Sequence, residues 1–263
     1  MDHHPAAGRL SAFLEASRVA FFGGSFDPPH QGHLAVARAA RTALALDTVL
    51  FAPVGAQPLK PQGSTASFED RVAMTRLAVE GIPSFEVSLV DAPKPSAAPN
   101  YTLDTLLHLH SELPADGVLF CLMGADSFFG LRRWHRSAEI PFVSPLIIAS
   151  RPGQPLDDLR AALPQGLTLE AAGSNSAPQS TAADAVEVHA FRLRNAAGET
   201  APFFLLPGLN IEISASQIRD RIRDGLGNGE GGEITQLDES RLSRQQLLPG
   251  AVLEYICAHG LYR

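Results

Sequence analysis

Between Arg18 and Ala149, short apolar runs alternate with longer stretches of helical spacing, and this rhythm restricts the folds open to the chain. Arg18-Val19-Ala20-Phe21-Phe22 is an apolar run ending in glycines, and from His33 onward Leu34, Ala37, Arg41 and Leu44 recur at helical spacing with no intervening Gly or Pro. Thr48-Val49-Leu50-Phe51 reads as a second buried strand. After a Pro-rich loop, Ser67-Phe68-Glu69-Asp70 has the capping-box pattern and opens a helix to about Glu80. Phe85 to Leu89 is expected as a third strand, Thr102 to Glu112 as a helix, Val118 to Met123 as a fully apolar strand and Pro145 to Ala149 as another. Strands separated by helices are joined by crossovers, so they run parallel, and the helices cover both faces of the sheet. The expected class is α/β, a doubly wound parallel sheet.

Beyond Arg151-Pro152-Gly153 the rhythm weakens. Ala171 to Pro178 lacks the apolar spacing needed to pack and is expected as part of a surface insertion, with order returning near Phe203. A glycine-rich break from Gly225 to Gly232 separates a short helix from the C-terminal stretch Leu247 to Tyr262, whose Val252, Tyr255 and Ile256 keep helical spacing. Gly227-Asn228-Gly229-Glu230-Gly231-Gly232 satisfies G-x-G-x-x-G literally, but it follows a helix and no strand, so it is expected as a loop and not a dinucleotide fingerprint. The division expected is a leader at 1–17 and one domain at 18–263, with insertions at about 154–200 and 224–246.

Composition excludes several classes. A chain of 263 residues buries a full core without staples, and with 45% hydrophobic and 19% charged residues it has no apolar run near the ~18 residues a membrane helix needs. The start, Met1-Asp2-His3-His4-Pro5, lacks the basic and apolar regions of a secretory signal, so a cytoplasmic setting is expected. Cys121 and Cys257 stand far apart and are expected as packed residues, not a disulfide or thiolate zinc site. A net charge of −7 argues against tracking a nucleic-acid backbone, so any phosphate site must be compact.

The chemistry concentrates in Gly23-Gly24-Ser25-Phe26-Asp27-Pro28-Pro29-His30-Gln31-Gly32-His33, between the first strand and its helix. Glycines let the backbone turn sharply and approach a ligand, and a helix N-terminus offers N–H groups and a positive dipole end to phosphate. His30 and His33, three apart in the first turn, share a face and can donate to one polyphosphate, with Gly32 keeping the space between them open. Zinc is the competing reading, but no third ligand of the usual kind is visible nearby. Late in the chain, Ile213-Ser214-Ala215-Ser216-Gln217-Ile218-Arg219 places Ser214 or Ser216 as a helix cap and Arg219, one turn on, as a planar cationic donor.

Residues 24–33 resemble the G-[ST]-F-D-P-x-H-x-G-H signature of the nucleotidylyltransferase superfamily, in the form typical of bacterial nicotinate-nucleotide adenylyltransferases. Residues 213–219 are similar to that family's I-S-[SA]-[TS]-x-I-R. The resemblance implies a Rossmann-like sheet with a small C-terminal helical segment. It also implies ATP contacts at Gly23, Gly24, Ser25, Phe26, His30, His33, Ser214, Ser216, Ile218 and Arg219, with His30, His33 and Arg219 catalytic. Gly124-Ala125-Asp126 looks like the family's G-x-D, in which the Asp holds ribose hydroxyls; by itself Asp126 could equally cap the next helix. Pro99-Asn100-Tyr101-Thr102 and Trp134-His135 are similar to the family's pyridine-pocket segments. They imply Tyr101, Thr102, Trp134 and His135 as acceptor contacts, with Trp134 stacking on the ring and N–H groups near Thr102 and His135 receiving a carboxylate. Lys60 matches a basic residue in the family's P-P-H-K loop, although Leu59 replaces its His. The C-terminal Tyr255-Ile256 and Gly260-Leu261-Tyr262 match a packing helix without chemistry of its own.

The activity so implied is adenylyl transfer from ATP, with Mg²⁺, to nicotinate mononucleotide in NAD biosynthesis. The alternatives are nicotinamide mononucleotide or another phosphorylated acceptor, a binding protein without turnover, or a metal-dependent hydrolase. Neither nucleic acid nor membrane is expected as a partner.

Overall fold

The computed structural model describes residues 17–60, 62–150, 153, 155–172, 186–209, 214–227 and 247–263. The expected leader, except Ser17, and most of the second expected insertion lie outside the described residues, as do Arg151, Pro152, 173–185 and Ile213. The strands are β1 (Arg18–Gly24), β2 (Thr48–Pro53), β3 (Phe85–Val87), β4 (Val118–Gly124), β5 (Leu146–Ala149), β6 (Thr168–Ala171), β7 (His189–Arg194) and β8 (Thr200–Leu206). The α-helices are α1 (Gln31–Leu44), α2 (Phe68–Val79), α3 (Thr102–Glu112), α4 (Ala125–Phe129), α5 (Ile140–Val143), α6 (Leu156–Ala162), α7 (Ala215–Gly227) and α8 (Gly250–His259).

Strand order in the sheet is β3-β2-β1-β4-β5-β8-β7-β6. The pairs β1–β4, β4–β5 and β5–β8 are parallel, as the strand-helix rhythm requires. The far edge departs from expectation, because β7 pairs antiparallel with both β8 and β6. The described residues of the stretch 154–200, expected as an insertion, supply α6, β6, β7 and the start of β8. β7 reads His-Ala-Phe-Arg-Leu-Arg and fully buries only Leu193, while Phe191 packs on Phe203 at 6.2 Å between centroids. A strand with so few buried side chains, one place in from the β6 edge, shows no apolar run, which is why the sequence hides it.

The chain forms two compact units, Met1–Gly23 with Ala37–Leu50 and Tyr101–Leu209, and Gly24–Val36 with Phe51–Asn100 and Asn210–Arg263. In the first, Val19, Ala20, Leu119, Leu122, Ile147 and Ile148 are at most 1% exposed, and Phe128 meets Phe203 edge-on at 5.7 Å. In the second, Met74, Ala78, Ile218, Ile222, Val252, Leu253, Ile256 and Tyr262 form one cluster that binds α2, α7 and α8 together. Each fully buried aliphatic or aromatic side chain there contributes roughly 1.5–3 kcal/mol.

Local signals set the helix ends. Ser67 Oγ accepts the Asp70 N–H at 3.0 Å and donates to Asp70 Oδ2 at 2.7 Å, so the expected cap opens α2. The C-terminus of α1 closes with Ala45 at φ 47° and the Leu46 N–H on the Arg41 carbonyl at 3.0 Å, a Schellman arrangement. Cys121 is buried and Cys257 partly so. Among the described residues no helix is long and apolar enough to cross a membrane.

Candidate active site

The glycine loop is shaped as much by phenylalanines as by any ligand. A Cβ on Gly23 would lie 2.7 Å from Phe21 Cζ, and that ring would have to shift; one on Gly24 would lie 3.2 Å from Phe26 Cζ, and that ring would have to give slightly. Phe26 itself adopts φ 47°, a backbone conformation disfavoured for a bulky residue. Its ring is 1% exposed and packs on Phe51 at 5.6 Å and edge-on against His33 at 5.0 Å, and these contacts offset the strain. The Asp27–Pro28 peptide that follows is cis.

His30 precedes α1 and is its N-cap, and His33 is the third helical residue, so only His33 lies within the first turn. The His30 N–H donates to His33 Nδ1 at 3.1 Å, the reciprocal half of a capping box with imidazole in place of the usual Glu or Gln. That bond fixes the tautomer: Nδ1 accepts, so the proton of the neutral ring sits on Nε2. The two rings stack 3.7 Å apart. Burial lowers the His30 pKa to about 4, and burial together with the neighbouring His30 holds His33 well below the ordinary imidazole value. Near neutral pH both rings are therefore neutral donors, not the cations that neutralising a phosphate charge would call for. His30 is 5% exposed and its Nδ1 has no hydrogen-bond partner among the described residues.

The cation comes from α7. Ser214 caps it, with Oγ accepting the Gln217 N–H at 3.2 Å and Gln217 Oε1 accepting the Ser214 N–H at 3.1 Å. Ser216 is not the cap; its Oγ accepts from Arg219 Nη2 at 3.2 Å. Arg219 Nη1 donates to the Asp27 carbonyl at 2.7 Å, which ties the second motif to the loop of the first. Ile218 is 0% exposed and its N–H donates to the Ser214 carbonyl at 3.1 Å, so its side chain anchors the helix and does not face a ligand.

Lys60 and Gln57 reach the same loop. Lys60 Nζ lies 3.1 Å and Gln57 Nε2 2.9 Å from Ser25 Oγ, and both donate to it. The segment that carries Gln57 is held by Asn100, which accepts the Ala56 N–H at 3.0 Å and donates to the Ala92 carbonyl at 3.1 Å. Leu59, in place of the family's His, is 45% exposed.

Those residues belong to the second unit, whereas Gly23, Gly124, Asp126, Tyr101, Thr102, Trp134 and His135 belong to the first. Gly124 is the N-cap of α4, and Asp126 is exposed in the first turn of that helix. A Cβ on Gly124 would meet nothing within 4 Å, which leaves the backbone approachable. Thr102 opens α3, where first-turn N–H groups have no partner within the helix. Tyr101 and His135 pair with ring centroids 4.4 Å apart, and Trp134 is partly exposed.

Three contributors had no assigned role in the sequence. The Asp27 carboxylate accepts the N–H groups of Thr65 and Ala66 and the Tyr262 hydroxyl. Arg71, 2% exposed, donates from Nη1 to the Ser25 carbonyl at 2.8 Å. Tyr262 lies in the C-terminal segment expected only to pack. The one available signal was an arginine on the buried face of α2, where its charge needs a partner. Among the described residues no group of three His, Cys, Asp or Glu side chains could hold a metal ion.

The sequence model of one family, described as cytidylyltransferase-like, matches residues 21–221. A protein of Thermomicrobium roseum named "Probable nicotinate-nucleotide adenylyltransferase" is 35% identical over 249 residues, covering 94% of this chain and 92% of the relative. One of the same name from Roseiflexus sp. (strain RS-1) is 32% identical over 255 residues, covering 95% of this chain and all of the relative. In structure the chain is similar to "Plasmodium falciparum nicotinic acid mononucleotide adenylyltransferase complexed with NaAD", with a TM-score of 0.59, 13% identity and coverage of 94% of this chain and 97% of that one. At that identity the likeness speaks for the fold, and it agrees with the mostly parallel, helix-flanked sheet. With the two motifs joined through Arg219 and Asp27, and these relatives matching nearly end to end, the chain belongs to the nicotinate-nucleotide adenylyltransferase family of cytidylyltransferase-like enzymes.

Proposed function

We propose that this enzyme transfers the adenylyl group of ATP to nicotinate mononucleotide, forming nicotinate adenine dinucleotide and pyrophosphate in cytoplasmic NAD biosynthesis, and that residues 18–263 act as one nucleotidyltransferase domain. The observation that carries the reading is the junction of the stacked His30 and His33 with an Arg219 guanidinium bonded to their own loop. In this reading an oxygen of the acceptor's 5′-phosphate attacks the α-phosphorus in line. The Pα–O bond to the β-phosphate breaks, and its electron pair leaves on pyrophosphate. The nucleophile is already an anion near neutral pH, so no general base is required. The enzyme aligns two anions and stabilises charge that develops on the phosphoryl oxygens.

Each assignment follows from chemistry. His33 Nε2–H and His30 act as neutral donors that need not surrender a proton at the moment of reaction. Arg219 supplies permanent positive charge in a fixed plane. The N–H groups of residues 23–26, near Ser25 and Lys60, contact phosphates. Substrate ATP arrives with Mg²⁺, which phosphates and water can hold without a carboxylate cage. Gly124 and Asp126 take the adenosine ribose hydroxyls. Tyr101, Trp134 and His135 offer aromatic faces to the pyridine ring, and the N–H groups of Thr102 and His135 receive its carboxylate.

The test is pyrophosphate release by purified protein with MgATP and, in separate assays, nicotinate and nicotinamide mononucleotides. A strong preference for the nicotinate form is expected. Comparable rates would widen the acceptor range, and no release with either would refute the assignment.

A further inference from the structure

Asp27 gathers donors from parts of the second unit far apart in sequence. Oδ2 accepts the Thr65 N–H at 2.6 Å, and Oδ1 accepts the Ala66 N–H at 3.1 Å and the Tyr262 hydroxyl at 2.8 Å. Arg219 Nη1 bonds to the Asp27 main-chain carbonyl at 2.7 Å but stays 3.9 Å from Oδ2. The guanidinium thus makes a long ion pair with the carboxylate while its hydrogen bond goes to the main-chain carbonyl. Tyr262 is 6% exposed, its ring lies in the cluster with Met74, Ile218 and Ile222, and its backbone sits at φ 66°, disfavoured for so large a side chain. A residue held in such a conformation needs its surroundings to hold it there.

We infer that Tyr262 is a positioning residue for adenylyl transfer: its hydroxyl satisfies the Asp27 carboxylate and so keeps Arg219 on the loop of His30 and His33, available to phosphate. The inference rests on the proposed role of Arg219. A buried carboxylate that loses a donor recruits the nearest one to replace it. For Asp27 that donor is Arg219, and tightening the 3.9 Å ion pair into a direct hydrogen bond would draw a phosphate-binding group onto the carboxylate. Arg71 completes the arrangement, because its buried charge acts on Asp27 and its Nη1 pins the Ser25 carbonyl.

The experiment compares wild type, Tyr262→Phe, Arg219→Lys and the double variant as full-length chains, measuring pyrophosphate release with MgATP and nicotinate mononucleotide beside thermal unfolding by circular dichroism. Tyr262→Phe is expected to lower kcat about tenfold with the KM for nicotinate mononucleotide within about twofold, the pattern of a contact made in the transition state. The double variant is expected within about twofold of the slower single, since both act through one guanidinium. Adding Asp27→Asn, of the same shape, to Tyr262→Phe removes the charge that would draw in Arg219; kcat is expected to return to within about threefold of wild type, and this variant serves where Tyr262→Phe alone does not fold. Wild-type kcat in a folded Tyr262→Phe protein, a Tyr262→Phe/Asp27→Asn protein that stays about tenfold slow, or losses that multiply in the Tyr262→Phe/Arg219→Lys double variant, would overturn the inference. Absence of release by wild type would refute the proposed function first and this inference with it.

Discussion

Acidification tests the protonation state on which the phosphate site depends. His30 titrates near 6.5 in an unfolded chain and near 4 in the folded one, where burial disfavours the cation. Between those values the unfolded state binds the proton and the folded state does not, so stability falls as pH falls from 6.5 toward 4 and is fully present above that window. At pH 5 the unfolded imidazole is mostly charged and the folded one mostly neutral; relative to pH 7 the linkage term for this one group amounts to about 2 kcal/mol. His33 adds in the same direction. Urea unfolding followed by circular dichroism at pH 7 and pH 5, for wild type and His30→Gln, isolates the contribution because the carboxylates common to both proteins cancel. The wild type is expected to lose about 2 kcal/mol more than His30→Gln over that interval. Equal losses, within about 0.5 kcal/mol, would show that His30 titrates normally and would remove the basis for treating the pair as neutral donors.

Replacing His33 with Ala is expected to lower kcat by ~100-fold or more with the circular dichroism spectrum intact, as for a lost preorganised donor; near-normal pyrophosphate release would sink its role. Phe26→Ala removes a side chain 1% exposed that packs on Phe51 and His33, and should cost ~3–5 kcal/mol in urea unfolding. Asp126→Ala should raise the KM for MgATP by roughly tenfold with the circular dichroism spectrum intact, read in initial-rate assays.

The sequence by itself determined the parallel βαβ core and both motifs, because these rest on patterns within a turn or two of the chain. Spacing marked α1, α2 and α3, and Ser67 marked a helix start by chemistry confined to three residues. His30, His33 and Arg219 were legible as residue types in the right order. Their state was not. That the histidines are neutral, and that one accepts from the other's backbone, depends on the burial that packing around Phe26 creates. The antiparallel strands β6 and β7 escaped because, with only Leu193 fully buried between them, they carry no apolar run. Only tertiary structure decided that Arg219 bonds to a residue 192 positions away and that Tyr262 reaches one 235 positions away. Periodicity records which face of an element is buried; it carries no record of which distant donor a buried carboxylate will meet, since that choice is made when α2, α7 and α8 close on a shared core.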